Sequence, residues 1–282
     1  MKSVRREKGF LGLTDNQVVN ANAMPVYIIP FGNEYDEGYG CGKAAEAIIK
    51  ASREINLFDE RLGCYPYQQM NLTTLKEISS TKSQKQAIEQ MQKFQRQLIA
   101  NHQMALTLGG DHRLIPKLIS PWLSQKNEIV FIHLGAHGTV LNDLAHLYPQ
   151  NEFVGLGLRS ISEALFELQR REKNRVLLYY AADKTTWDWS RLAALLRNKT
   201  AFLSFSVDCF DMSLLPATPW AEPGGLFWDD ALFTIESLTK LTNIAGACVC
   251  DFAPLDYQMS YDLLVAKLVY RMLATLVLFP KS

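Results

Sequence analysis

Three short stretches of this chain carry histidine, aspartate and glycine just where an apolar run gives out: Gly109-Gly-Asp-His112, Gly135-Ala-His137, and Ser204-Phe-Ser-Val-Asp208-Cys-Phe-Asp211. Imidazole and carboxylate are the side chains that ligate divalent ions and move protons near neutral pH. His112, His137 and Asp208 together match a two-histidine, one-carboxylate set that holds a catalytic zinc with one position open. The plainer alternative is that their polar atoms are satisfied by neighbouring backbone and solvent. His133 shares strand parity with Gly135 and His137 but lies one step deeper, which assigns it to hydrogen bonding in the core. Cys209 is a poor nucleophile, because no base adjoins it and the carboxylate of Asp208 raises its pKa.

Such residues meet only if the strands before them end side by side, and in open α/β sheets the ligand crevice lies outside those carboxyl ends. Residues 201–207 are apolar with almost no charge, as in a strand buried on both faces of a parallel sheet. Further strands are expected at 24–31, 104–108, 128–134, 153–158, 175–180 and 244–252, with one short edge strand within 56–80. Helices are expected at 43–55, 83–101, 114–124, 161–172, 187–198, 229–241 and 261–278, and Asp143 and His146 are expected in a loop. Strands alternating with helices give crossover units and a mostly parallel α/β sheet.

With 282 residues and 48% apolar composition, the chain can bury one large core. A single domain over 1–282 is expected, with 1–22 as a flexible N-terminal extension. Lys+Arg and Asp+Glu balance at 29 each, so neither nucleic acid nor a membrane surface finds an electrostatic footprint. No apolar run reaches about 18 residues free of charge, which points to a soluble cytoplasmic protein. Five scattered cysteines without a C-x-x-C pair fit reduced thiols. Gly38, Gly40 and Gly42 miss the Gly-x-Gly-x-x-Gly spacing, and no Gly-Lys-Ser/Thr follows, which argues against nucleotide binding.

From about Pro25 onward, the order of motifs resembles the ureohydrolase superfamily of arginase, agmatinase and formimidoylglutamase. Gly109-Gly-Asp-His112 is similar to that family's Gly-Gly-Asp-His motif, and Ala136-His137 to the centre of its Asp-Ala-His-x-Asp motif. Ser204 to Asp211, with Pro216 and Pro223-Gly-Gly225, is similar to its Ser-x-Asp-x-Asp-x-x-Asp-Pro and Pro-Gly-Gly segments. Gly40-Cys-Gly-Lys-Ala-Ala-Glu-Ala-Ile49 and Gly155-Leu-Gly-Leu-Arg159 add supporting matches.

The resemblance implies a three-layer αβα, arginase-like fold and assembly as a trimer or hexamer. It also implies a dimanganese centre of two histidines and four aspartates, to which His112, His137 and Asp208 correspond. The other three positions are Gly135, Thr139 and Ser206. Two divalent ions about 3.5–4 Å apart repel by roughly 19 kcal/mol at an effective dielectric of about 20, and three missing carboxylates leave that repulsion unopposed. No dimetal centre is therefore expected; any cofactor would be one divalent ion, Mn²⁺ or Zn²⁺, on His112, His137 and Asp208. Asp251 corresponds to the family carboxylate that grips the guanidinium, and Trp220, in place of a small residue, would narrow the pocket. His146 is the candidate for the family's proton-shuttling histidine, and Asp211 braces its loop. The expected function is a catalytically silent ureohydrolase homologue with a binding or regulatory role, as a homo-oligomer or assembled with a paralogue. Its ligand would be a small cationic metabolite. The alternative is a single-metal hydrolase of a guanidino, amidino or formimino compound, cutting a non-peptide C–N bond.

Overall fold

The computed structural model describes residues 2–35, 39–78, 83–124 and 129–279. Glu128 and Gly38 lie outside them. The apolar runs form β1 (Met24–Pro30), β2 (Met70–Thr74), β3 (Met104–Leu108), β4 (Ile129–Leu134), β5 (Glu152–Leu158), β6 (Val176–Tyr180), β7 (Thr200–Ser206) and β8 (Asn243–Cys250). They make one sheet in the order β2-β1-β3-β8-β7-β4-β5-β6, with parallel pairing throughout. The helices are α1 (Ala44–Ala51), α2 (Gln84–Ala100), α3 (Ile115–Leu118), α4 (Ser120–Leu123), α5 (Thr139–Leu147), α6 (Glu163–Arg171), α7 (Trp189–Leu196), α8 (Trp228–Leu241) and α9 (Met259–Leu278).

Both faces of the sheet are covered, and the strand sequences show why. Val130, Ile132 and Leu134 of β4 join one apolar cluster, while Ile129 and Phe131 join another. Side chains alternate across a strand, so an unbroken apolar run feeds two cores at once. α1, α8 and α9 pack together on the first face, where Leu192 and Leu196 of α7 also lie. α2 to α6 make neighbouring contacts over the other face. No helix among the described residues is long and apolar enough to cross a membrane.

Three local features depart from the sequence reading. The helix expected over 114–124 is broken into α3 and α4, with Pro116 and Pro121 each opening a new turn. Proline lacks the N–H that would continue the helix before it. Asp143 and His146 sit on α5, not in a loop. Residues 2–22 include Phe10, Leu11 and Leu13, which lie in the main core. Phe10 donates its backbone N–H to Thr74 and Leu11 to Ser52, at 2.9 Å each.

For the site, the decisive feature is the strand order. The chain leaves β3, builds β4 to β6 further out, and returns with β7 and β8 to fill the gap. The carboxyl ends of β3, β8, β7 and β4 are thereby neighbours, and the crevice at such a reversal is where ligands bind in open α/β sheets.

Candidate functional site

β3 ends in Gly109 and Gly110, whose φ of 95° and 78° lie in a region that favours glycine. This turn delivers His112 to the crevice, buried, at the start of a short 3-10 helix. Its backbone N–H donates to Asp251 Oδ1 at 2.9 Å, and its ring Nδ1 lies 3.0 Å from the same oxygen. Burial alone would lower the pKa of His112, but the charge of Asp251 and the hydrogen bond to it prevail and raise it to about 9.

Asp251 follows β8 with a φ of 64°, a left-handed conformation that favours glycine and that aspartate adopts more readily than most side chains. It has no exposed surface. Its Oδ2 accepts from Ser206 Oγ at 2.5 Å, and Cys250 Sγ lies 3.2 Å away. Burial opposes its charge, yet His112, Ser206 and the His112 N–H together hold its pKa down to about 2. The residue expected to grip a substrate thus spends both oxygens inside the fold. The sequence identified the strand end but not the direction of the side chain.

Asp208, after β7, is likewise buried. Its Oδ1 accepts the Ala136 N–H at 3.0 Å, while Oδ2 makes no hydrogen bond. Burial, then the nearby charge of Asp251, raises its pKa. Among the described residues, His112, Asp208 and Asp251 offer donor atoms that all lie within 4.8 Å of one another. This differs from the set nominated by sequence, because Asp251 enters and His137 stands beside it. His137 Nε2 is 3.9 Å from Asp208 Oδ2 and 3.5 Å from Glu222 Oε1, a partner with no motif to announce it.

The three positions at which the resemblance implies carboxylates are informative. Ser206 donates to Asp251. Gly135 is buried, and a Cβ there would be driven into the ring of His133. His133 is itself buried, within 3.1 Å of Ser204 Oγ, and burial lowers its pKa to about 3, so its ring is neutral. Thr139 is exposed at the start of α5. His146 is exposed too, with Nδ1 2.7 Å from the Asn142 carbonyl.

Trp220 sits edge-on against the His112 ring, centroids 4.8 Å apart, and its carbonyl is 3.4 Å from His137 Nε2. Its loop is held by Asp211, which accepts from the N–H groups of Ser213, Gly224 and Gly225 at 2.6–3.0 Å. Arg159 secures the same region by donating to the carbonyls of Gly157, Asp208, Cys209, Phe210, Glu222 and Pro223. Arg159→Ala is expected to cost about 2–3 kcal/mol, because charged hydrogen bonds are lost and carbonyls are left unpaired. Thermal unfolding checks this, and an unchanged midpoint would mean that the loops hold without it.

A model of the family described as the arginase family matches residues 23–274. An N(1)-aminopropylagmatine ureohydrolase of Synechocystis sp. is 22% identical over 270 residues, covering 88% of this chain and 88% of that protein. An agmatinase of Neisseria meningitidis is 25% identical over 284 residues, covering 89% and 90%. Among solved structures, formimidoylglutamase from Bacillus subtilis superposes with a TM-score of 0.80 at 19% identity, covering 100% of this chain and 95% of that one.

Proposed function

The chain belongs to the arginase family, and on that footing we propose that it is a ureohydrolase homologue without a dimanganese centre, silent toward guanidino substrates and serving a binding or regulatory role. The observation that carries this reading is the hold of Asp251 on His112. His112 Nδ1 lies 3.0 Å from Asp251 Oδ1 in a buried pair that Ser206 extends, and a ring nitrogen committed to that bond is not free to face a metal. Two divalent ions need several carboxylates to offset their repulsion. This cluster offers two, one of them spent on an imidazolium. Trp220, against His112, further closes the approach. The reading includes self-assembly as a trimer or hexamer, or assembly with an active paralogue, in the cytoplasm.

Elemental analysis of protein purified without chelator and dialysed against Mn²⁺ tests it, alongside urea and ammonia release from arginine, agmatine and formimidoylglutamate. The expected result is far less than one ion per chain and no release. Two ions per chain with turnover would overturn it.

A second reading is favoured by one observation, the Oδ2 of Asp208, which makes no hydrogen bond, within the three-donor group. One ion could be held by His112, Asp208 and Asp251, displacing the proton of His112, and would supply a Lewis acid for hydrolysis of an amidino or formimino C–N bond. One ion per chain, lost in Asp208→Asn, would select it.

A further inference from the structure

Outside the buried cluster, three loops at the same sheet edge converge on a guanidinium that belongs to the chain itself. Arg113 Nε and Nη2 donate to Asp111 Oδ1 and Oδ2, each at 3.1 Å, in the parallel two-bond fork that matches guanidinium to carboxylate. Asp111 is buried, and its Oδ2 also accepts the Tyr35 N–H at 2.7 Å. The guanidinium carbon lies 5.0 Å from the ring centre of Tyr35, 4.9 Å from that of Tyr39 and 5.2 Å from that of Trp220. All three are within reach of cation–π attraction. Tyr39 and Trp220 stack on each other at 5.2 Å. A buried carboxylate and three aromatic rings, brought from the loops after β1, β3 and β7, are the parts of a cation box.

The box is not sealed. Tyr35 is 48% exposed and Tyr39 39%. Beside it opens a cleft of about 540 Å³ lined by Tyr35, Arg113, Lys117, Asn142 and His146, among others. Arg113 thus lines open space on one side and the box on the other.

We propose that Tyr35, Tyr39, Trp220 and Asp111 form a binding site for a guanidinium cation, kept closed by the chain's own Arg113 acting as an internal ligand. This deepens the binding role proposed above and rests on it only for physiological meaning; the box itself does not depend on the metal state. A tethered occupant competes as though present at millimolar concentration or more, so a free guanidinium is outcompeted until Arg113 is removed or drawn away.

The test is calorimetric titration of the full chain with methylguanidinium. The wild type should bind at least about tenfold more weakly than Arg113→Ala. Adding Trp220→Leu to Arg113→Ala should weaken binding about tenfold, as loss of a desolvated cation–π contact does. Butylammonium, which lacks the planar fork, should bind the Arg113→Ala protein more weakly than methylguanidinium. Should Arg113→Ala not fold by circular dichroism, Arg113→Gln serves in its place with the same expectation. A folded variant that does not bind methylguanidinium, or binds it no better than wild type, overturns the proposal and leaves the metal-free reading standing. Equal binding of butylammonium overturns its guanidinium selectivity. Two manganese ions per chain with the box intact would sink the metal-free reading alone.

Discussion

Asp251→Ala is expected to destabilise the chain by about 3–5 kcal/mol, because it removes the carboxylate hydrogen-bonded to the buried His112 ring. The pH dependence is the sharper signature. The His112 pKa is raised from 6.5 to about 9 in the fold. A raised basic group contributes stability that is fully present below 6.5 and is lost as pH rises through about 9. The displacement corresponds to on the order of 3 kcal/mol, shared with Asp251 and counted once. Asp251 is displaced the other way, from 3.8 to about 2. Its contribution is present above 3.8 and is lost as pH falls through about 2. Urea unfolding of wild type should therefore show declining stability between pH 6.5 and 9. In Asp251→Asn that decline should shrink, since burial then lowers the pKa of His112 with only the more distant charges of Asp208 and Asp111 opposing it. An undiminished alkaline decline in Asp251→Asn would mean that the two residues are not a charged pair.

The sheet was legible because its signal is redundant. β3, β4 and β7 are mostly apolar and uncharged, and the chemistry-bearing residues follow each of them directly. The order of strands, and so the meeting of four particular ends, was not legible, because periodicity says nothing about neighbours; it is the fold that shows it. Side-chain direction was not legible. Asp251 was placed correctly at a strand end, yet its left-handed backbone turns the carboxylate inward onto His112. Glu222 and Arg113 belong to no motif, and only the folded loops bring one to His137 and the other to three aromatic rings. The broken helix at 115–123 had a readable cause in Pro121 that the apolar spacing masked.

Placing aspartates where the resemblance implies them, with Gly135→Asp, Thr139→Asp and Ser206→Asp, is expected not to yield a dimanganese protein. At position 135 the new side chain would meet the His133 ring, which is buried, stacked near Phe131 and within 3.1 Å of Ser204. Overpacking of that kind costs about 1–3 kcal/mol by itself. At 206 an aspartate would join Asp208 and Asp251, both buried, and a further uncompensated buried charge costs several kcal/mol. At 139 the side chain starts from an exposed position, so a carboxylate there has no fixed aim. The triple variant should accordingly be destabilised and should take up no manganese pair. Adding His133→Ala vacates the volume beside position 135, after which Mn²⁺ can offset the crowded carboxylates. The prediction is a melting temperature that rises with Mn²⁺ in the quadruple variant and not in the triple, by the equivalent of about 2.7 kcal/mol at a hundredfold excess over Kd. Two ions in the triple variant would show that His133 yields easily and that the carboxylates alone decide whether a metal pair binds. No ion in the quadruple variant would move the cause to the grip of Asp251 on His112, which the Asp251 substitutions address directly.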